Sequence, residues 1–253
     1  MRLLLDMGNT RLKWALQAQP SGWLARGAVD WGDDMATALE SALNGLPRPD
    51  HVMAASVVDA GREAQVTAIT ECLFACSPSW LRTPASACGI RNAYAEPSRL
   101  GVDRFLAMVA AFADGHAPCV LAGVGTALTL DALAEDGQHL GGLISPGPLL
   151  MQRSLLDATA RVRPERPGEI LELADNTADA VASGCWQAAA ALVERFTTRM
   201  AARLGTTPTL ILGGGDAEQL LPLLSLPAQL GSDTVLRGLA VWANAQVKTS
   251  LAG

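Results

Sequence analysis

Leu3-Leu4-Leu5-Asp6-Met7-Gly8-Asn9-Thr10-Arg11-Leu12-Lys13-Trp14-Ala15-Leu16 is the stretch from which the fold can be read. Leu3 to Leu5 is a short apolar run with the character of a buried strand, closed by an acid and turn formers. Gly8-Asn9 predicts a two-residue hairpin turn, because both residues tolerate positive φ. Leu12, Trp14 and Leu16 then alternate with Arg11, Lys13 and Ala15, which gives a return strand with one apolar face. The chain therefore opens with a hairpin whose tip carries Asp6, Asn9, Thr10 and Lys13. Backbone N–H groups in a tight turn, a hydroxyl and an ammonium suit phosphate oxygens, and the neighbouring acid suits a magnesium ion. An ordinary hairpin with polar tip residues fits the same pattern.

Outward from the hairpin, residues 23–29 read as a third strand. Asp33-Asp34 reads as a cap for a helix to about Leu43, which Pro47-Arg48-Pro49 ends. A strand over 51–57, an amphipathic helix over 61–76 and a short strand at Trp80-Leu81-Arg82 follow. The order is β-β-β-α-β-α. After a polar loop over 84–98 and a helix over 101–113, a second series begins. Strands are predicted at 119–122, 127–134 and 139–144, with Gly125-Thr126 as the first turn, then a helix near 147–156 and a loop over 161–168. Asp175 or Asn176 caps a long helix to about Leu204. Pro208 to Leu212 is an apolar strand closed by Gly213-Gly214-Gly215-Asp216, and 217–224 is helical. Asp233 caps a last helix with Leu236, Leu239, Ala240, Ala243 and Val247 at helical spacing. Each half thus opens strand–turn–strand, with Gly-Asn-Thr or Gly-Thr-Ala in the turn.

This order resembles the actin, sugar-kinase and heat-shock-ATPase superfamily. The resemblance implies an α/β fold of two actin-like (ribonuclease H-like) β-β-β-α-β-α domains with an ATP cleft between them. Residues 1–114 would carry the first phosphate loop, and 115–253 the second loop and the adenosine-side turn.

Composition narrows the class. The 253 residues suffice for one large domain or two of about 120 residues each. A hydrophobic content of 49% against 17% charge gives a large core and no disorder signature. A net charge of −6 argues against nucleic-acid binding through a basic surface. The five cysteines form no CxxC pair, and an odd count without a secretory leader points to reduced thiols in a cytoplasm. The apolar run from Cys119 to Leu130 is about half of what a membrane span needs. There is no Gly-x4-Gly-Lys-[Ser/Thr] loop and no Gly-x-Ser-x-Gly elbow. His51, His116 and His139 lie far apart without metal-ligand spacing.

Four motifs narrow the reaction: Asp6-x-Gly8-Asn9-Thr10-x-x-Lys13; Tyr94-Ala95-Glu96-Pro97-Ser98-Arg99-Leu100-Gly101-Val102-Asp103-Arg104; Gly123-Val124-Gly125-Thr126-Ala127-Leu128-Thr129-Leu130-Asp131 with Gly141-Gly142-Leu143-Ile144-Ser145-Pro146-Gly147; and Asn176-Thr177 with Ser183-Gly184. In this order and over nearly the whole chain they resemble the type III pantothenate kinase family. The resemblance implies transfer of the ATP γ-phosphate to the primary hydroxyl of pantothenate, the first step of coenzyme A biosynthesis, by a homodimer. Phosphoryl transfer to an alcohol needs a carboxylate beside the attacking hydroxyl, and Asp103 matches the family's catalytic base. Tyr94, Gly101, Val102, Arg104 and Thr177 match its pantothenate contacts, a guanidinium fork suiting a carboxylate. Asp6, Met7, Gly8, Asn9, Thr10, Arg11, Leu12 and Lys13, with Thr126, match its ATP contacts. Asp6 would hold Mg2+ through water.

Gly213-Gly214-Gly215 resembles the adenosine-side turn. The family pattern also implies a monovalent cation, K+ or NH4+, held by an acid two residues before the second Gly-Thr; here that position is Gly123, which has no side-chain oxygen. The apolar Leu106, Val109 and Phe112 face of the helix after Asp103 is either part of the dimer contact or core. Two rival readings share the fold: a kinase of another small hydroxy compound, and a transcription accessory protein that keeps the ATP pocket.

Overall fold

In a computed structural model, which describes residues 1–18, 22–32, 34–159 and 166–251 with side chains to 246, the opening hairpin forms. Strands β1 (Arg2–Met7) and β2 (Arg11–Gln17) pair antiparallel, with Asp6 opposite Lys13 and Met7 opposite Leu12. The turn differs from expectation. Neither Gly8 nor Asn9 has a positive φ, and the Gly8 N–H donates to the Arg11 carbonyl at 3.1 Å, so Asn9 and Thr10 are the central pair. Thr10 in a central position is what disfavours a turn with two positive φ angles, since a β-branched residue resists that region.

β2 pairs with β3 (Trp23–Asp30), and β1 runs parallel to β4 (His51–Ser56), which pairs with β5 (Pro78–Leu81). The order is β3-β2-β1-β4-β5. Alternation along β1 sends Leu3, Leu5 and Met7 to one face, against Met35 and Leu39 of α1 (Met35–Leu43) and Val66 and Ile69 of α2 (Ala60–Phe74). Leu4, Ala15 and Ala55 face the other way, against Leu106 of α3 (Val102–Ala113) and Leu236 and Leu239 of α7 (Thr234–Leu251). Asp59 caps α2 by accepting from the Gly61 and Arg62 N–H groups at 2.9 and 3.1 Å. Asp34 stands before α1 without a side-chain cap bond, and Asp33 lies outside the described residues. Two short strands, β6 (Ser86–Ala87) and β7 (Ile90–Arg91), interrupt the segment expected to be wholly loop.

The second sheet repeats the first. β8 (Cys119–Val124), β9 (Ala127–Leu133) and β10 (His139–Pro146) are antiparallel, and β11 (Thr209–Gly213) and β12 (Ala228–Leu230) run parallel to β8, in the order β10-β9-β8-β11-β12. Its core packs Val120, Leu128 and Leu130 against Trp186, Ala189 and Val193 of α5 (Thr177–Leu204). α4 (Pro148–Ala158) follows β10, and α6 (Ala217–Leu220) follows β11. β12 was not expected. The helix predicted to Leu224 stops at Leu220 and tightens into a 3₁₀ turn over Leu221–Leu223, where Pro222 has no N–H to continue it. Residues 161–165 of the expected loop lie outside the described residues, as does the Val247 side chain.

Met1–Gly115 with Asp233–Gly253 forms one compact unit and His116–Ser232 another. The last helix, expected in the second domain, groups instead with the first. The reason is packing: Gly238 of α7 lies so near α3 that a Cβ there would stand 2.0 Å from the Leu106 carbonyl oxygen. Leu106 and Val109 are fully buried in this first unit and belong to its core, and Phe112 is half-buried.

Candidate active site

Asp6 and Lys13 are opposite one another beside the turn that joins β1 to β2. The Lys13 ammonium is 3.9 Å from Asp233, the residue before α7, whose other oxygen takes Arg26 of β3 at 2.8 Å. Asp6 is only partly exposed, and its pKa is pushed up to about 7. Loss of hydration contributes most, the negative charge of Asp103 next, and Asp233 further, with Lys13 opposing them. The hairpin acid and the acid of α3 are thus close enough within one unit to repel each other.

Asp103 lies in the first turn of α3, where the positive end of the helix favours a carboxylate. Its Oδ1 accepts the Arg104 N–H at 2.8 Å. Gly101 takes the N-cap position, and a Cβ there would meet Asp103 Oδ1 at 2.5 Å, so the glycine makes room for the carboxylate. Val102 is buried and anchors the turn. Arg104 is 7% exposed, yet its guanidinium donates to the Tyr94 hydroxyl at 3.1 Å and lies 5.9 Å from the ring centroid. A buried guanidinium bonded to a phenol is a preformed receptor for a carboxylate.

Sequence reading missed the residues that hold the Tyr94 loop. The Asn92 side chain accepts from the Tyr94 N–H at 3.0 Å and donates to the Pro97 carbonyl at 3.1 Å. Thr83, buried, donates to the Leu100 carbonyl at 2.7 Å. An Asn two residues before an invested Tyr is an Asx-turn signal that was available.

In the second unit, Gly125-Thr126 joins β8 to β9 as Gly8–Thr10 joins β1 to β2. The Thr126 carbonyl accepts from Gly147 N–H, and a Cβ on Gly147 would stand 1.8 Å from the Gly125 carbonyl oxygen. The triple-glycine turn lies alongside: Gly213 pairs with Gly123, and Gly214, at φ +95°, would place a Cβ 2.1 Å from the Val124 carbonyl oxygen. Only glycine fits there. Thr126 is exposed.

Asn176, not Asp175, caps α5, accepting from Asp179 N–H at 3.1 Å. Thr177 is the exposed first residue of that helix and lines a groove with Leu155, Val181, Gly184 and Cys185. Asp179 accepts both Arg166 nitrogens at 2.9 Å and Glu169 N–H at 2.8 Å, which holds its carboxyl well below the usual range. Ser183 accepts from Leu171 N–H at 2.9 Å. Both residues fasten the segment before α5 to its first turns.

The structure thus joins Asp6, Lys13, Asp103, Tyr94 and Arg104 in one unit and Gly123, Thr126 and Gly213–Gly215 in the other. No group of three or more His, Cys, Asp or Glu placed to hold a metal occurs among the described residues. No described helix is long and apolar enough to cross a membrane.

A profile of the type III pantothenate kinase family matches residues 2–199. A type III pantothenate kinase of Xanthomonas campestris pv. campestris is 43% identical over 240 residues, 95% of this chain and 96% of that one. Among solved structures, a Campylobacter jejuni protein described as a Baf family transcriptional activator superposes with a TM-score of 0.61 at 16% identity, covering 96% of this chain and 99% of its own. A ROK family glucokinase from Streptomyces griseus, in complex with glucose and AMPPNP, gives 0.51 at 14% identity, over 96% of this chain and 99% of its own. At such identities these two likenesses are of fold alone. That fold is the actin-like ATPase and sugar-kinase fold.

Proposed function

The chain belongs to the type III pantothenate kinase family, and on that premise we propose how its residues carry out ATP-dependent phosphorylation of pantothenate. It is a pantothenate kinase. The observation that carries the assignment of roles is the helix-start carboxylate of Asp103 next to buried Arg104, whose guanidinium is bonded to the half-buried Tyr94. Arg104 and Tyr94 would bind the pantothenate carboxylate, fixing the other end of the molecule so that its primary hydroxyl meets Asp103. Gly101 and Val102 shape that turn. Asp103 orients the hydroxyl and accepts its proton as the oxygen attacks the γ-phosphorus. Thr177 would give a further contact to pantothenate.

The phosphates of ATP fall to residues 6–13, with Lys13 and Thr10 as the charged and hydroxyl donors, and to Thr126. Asp6 fits a magnesium site: burial raises its pKa most, and the repulsion that Asp103 and Asp233 add is one a cation relieves. Mg2+ binds through one or two carboxylates plus substrate phosphates, with water filling the rest. Asp6, with water between, would hold it, and the ion would neutralise phosphate charge. A side-chain site for K+ or NH4+ does not fit. Gly123 has no oxygen to offer, and the Thr129 hydroxyl stands 2.6 Å from where its Cβ would be.

The homodimer belongs to the same reading. It is supported by the exposed Leu143 and Ile144 of β10 and Leu149 and Leu155 of α4, a run of apolar side chains that a lone domain rarely leaves in water. A cytoplasmic location is supported by five unpaired cysteines.

The test is ATP-dependent phosphorylation of pantothenate by the wild type and by Asp103→Asn, with and without potassium. Turnover by the wild type with a loss of about a hundredfold or more in kcat for the variant is expected. Rates independent of monovalent cation are expected from Gly123. A variant that retains full kcat would remove Asp103 from the role of base.

A further inference from the structure

We propose that Trp31, which lies outside every motif of the site, is a positioning residue that sets the direction of the first phosphate turn. The inference rests on the reading of that turn as a phosphate site. Trp31 follows β3 immediately, and its backbone N–H donates to the Thr10 carbonyl at 3.2 Å, extending the β2–β3 ladder one step past the Arg11–Asp30 pair. Its indole Nε1–H then reaches over the tip and donates to the Gly8 carbonyl at 2.6 Å. One residue thus grips the two carbonyls that flank Asn9.

The consequence follows from peptide geometry. In a planar trans peptide the C=O and the N–H point in opposite directions. Fixing the Gly8 carbonyl on the indole therefore turns the Asn9 N–H, its partner in the same peptide plane, away from Trp31. The Thr10 carbonyl, held in the same way, stops the next plane but one from rotating. The Gly8 N–H bond to the Arg11 carbonyl closes the hairpin upon itself, whereas both Trp31 bonds come from outside it. The ring is itself seated. The Arg62 guanidinium from the first turn of α2 lies 4.8 Å from its centroid and 3.7 Å from the Asp59 carboxylate. Preorganised N–H groups bind phosphate without first having to be ordered. Trp31 would therefore act on nucleotide affinity and leave pantothenate affinity alone.

Trp31→Phe keeps an aromatic side chain and the backbone bond, and removes the indole N–H together with the five-membered ring that carries it. The measurements are KM for ATP and for pantothenate, kcat, the calorimetric affinity for ADP, and the melting temperature. The expected result is a rise of about three- to tenfold in the ATP KM and ADP Kd, the range for one lost hydrogen bond, with pantothenate KM unchanged. An unchanged ATP KM overturns the inference, and so does an equal rise in both KM values with a lowered melting temperature. If Trp31→Phe does not fold, Arg62→Ala carries the test: it leaves both hydrogen bonds and frees the ring, and must shift the ATP KM in the same direction by a smaller factor. Lys13→Ala separates the two levels. If it leaves ATP affinity unchanged, the phosphate reading of the hairpin fails. If it weakens ATP while Trp31→Phe does not, the positioning role alone fails.

Discussion

Arg104 is the residue in which the competing demands of this site are easiest to weigh. A guanidinium that is 7% exposed is costly to bury, and the Tyr94 hydroxyl is one neutral partner for a full charge. Such a group gains from an incoming anion, whose charge and oxygens complement the guanidinium fork. Tyr94→Phe leaves the ring beside the guanidinium and removes the hydroxyl. We expect the pantothenate KM to rise about three- to tenfold with little change in kcat or in ATP KM, measured by steady-state kinetics. Both residues were legible in the sequence through a motif, but their contact was not. Ten positions apart across a 3₁₀ turn and a glycine, they meet because Asn92 and Thr83 tie down the intervening loop. Trp31 was less legible still. A tryptophan at the end of a strand reads as an edge residue until the indole is seen to bond back across the hairpin.

Among the elements, strands and helices followed the periodicity closely, and the misses fell where a tertiary contact overrides local preference. Gly8-Asn9 carries the strongest local turn signal in the chain, yet the register of β1 against β2 moves the turn one residue on. β12 is three residues long, and only its parallel pairing with β11 marks it as a strand. The start of α5 shows what a cap can do beyond ending a helix. Asp179, 3% exposed, collects Arg166, Asn176 and the Glu169 N–H on one carboxylate. Its carboxyl is depressed well below the usual range, first by the Arg166 bond and then by Asn176. A group whose folded pKa is lowered stabilises the fold fully above its unfolded value, near 3.9, and ceases to do so as pH falls toward the folded value. The wild type should therefore lose melting temperature steeply below about pH 4. Asp179→Asn should start lower at pH 7 and show a shallower acid slope in the same thermal scan.

For the whole molecule, the duplicated sheet order was visible as a duplicated element order, although no residue-by-residue repeat accompanies it. What could not be read was the membership of α7, because an amphipathic helix shows that it has a buried face and not which sheet buries it. The exposed apolar residues of β10 and α4 set the prediction at this scale. Ile144→Asp, at a position 63% exposed, should convert a dimer to a monomer in sedimentation velocity while costing the fold of the domain no more than about 1 kcal/mol in denaturant unfolding. Monomeric wild type would remove the dimer from the proposal. The return of α7 to the first unit also has a consequence for how the protein is made. The ribosome delivers the hairpin before α7, so Leu4 and Ala15 await Leu236 and Leu239, and Arg2 awaits the side-chain oxygen of Asn244 at 2.7 Å, until everything between them has been made. The sheet of the first unit is thus begun early and sealed only after the second unit has been translated. A nascent chain interrupted anywhere before residue 234 leaves apolar surface beside α3 on the back of its first sheet without the helix that covers it.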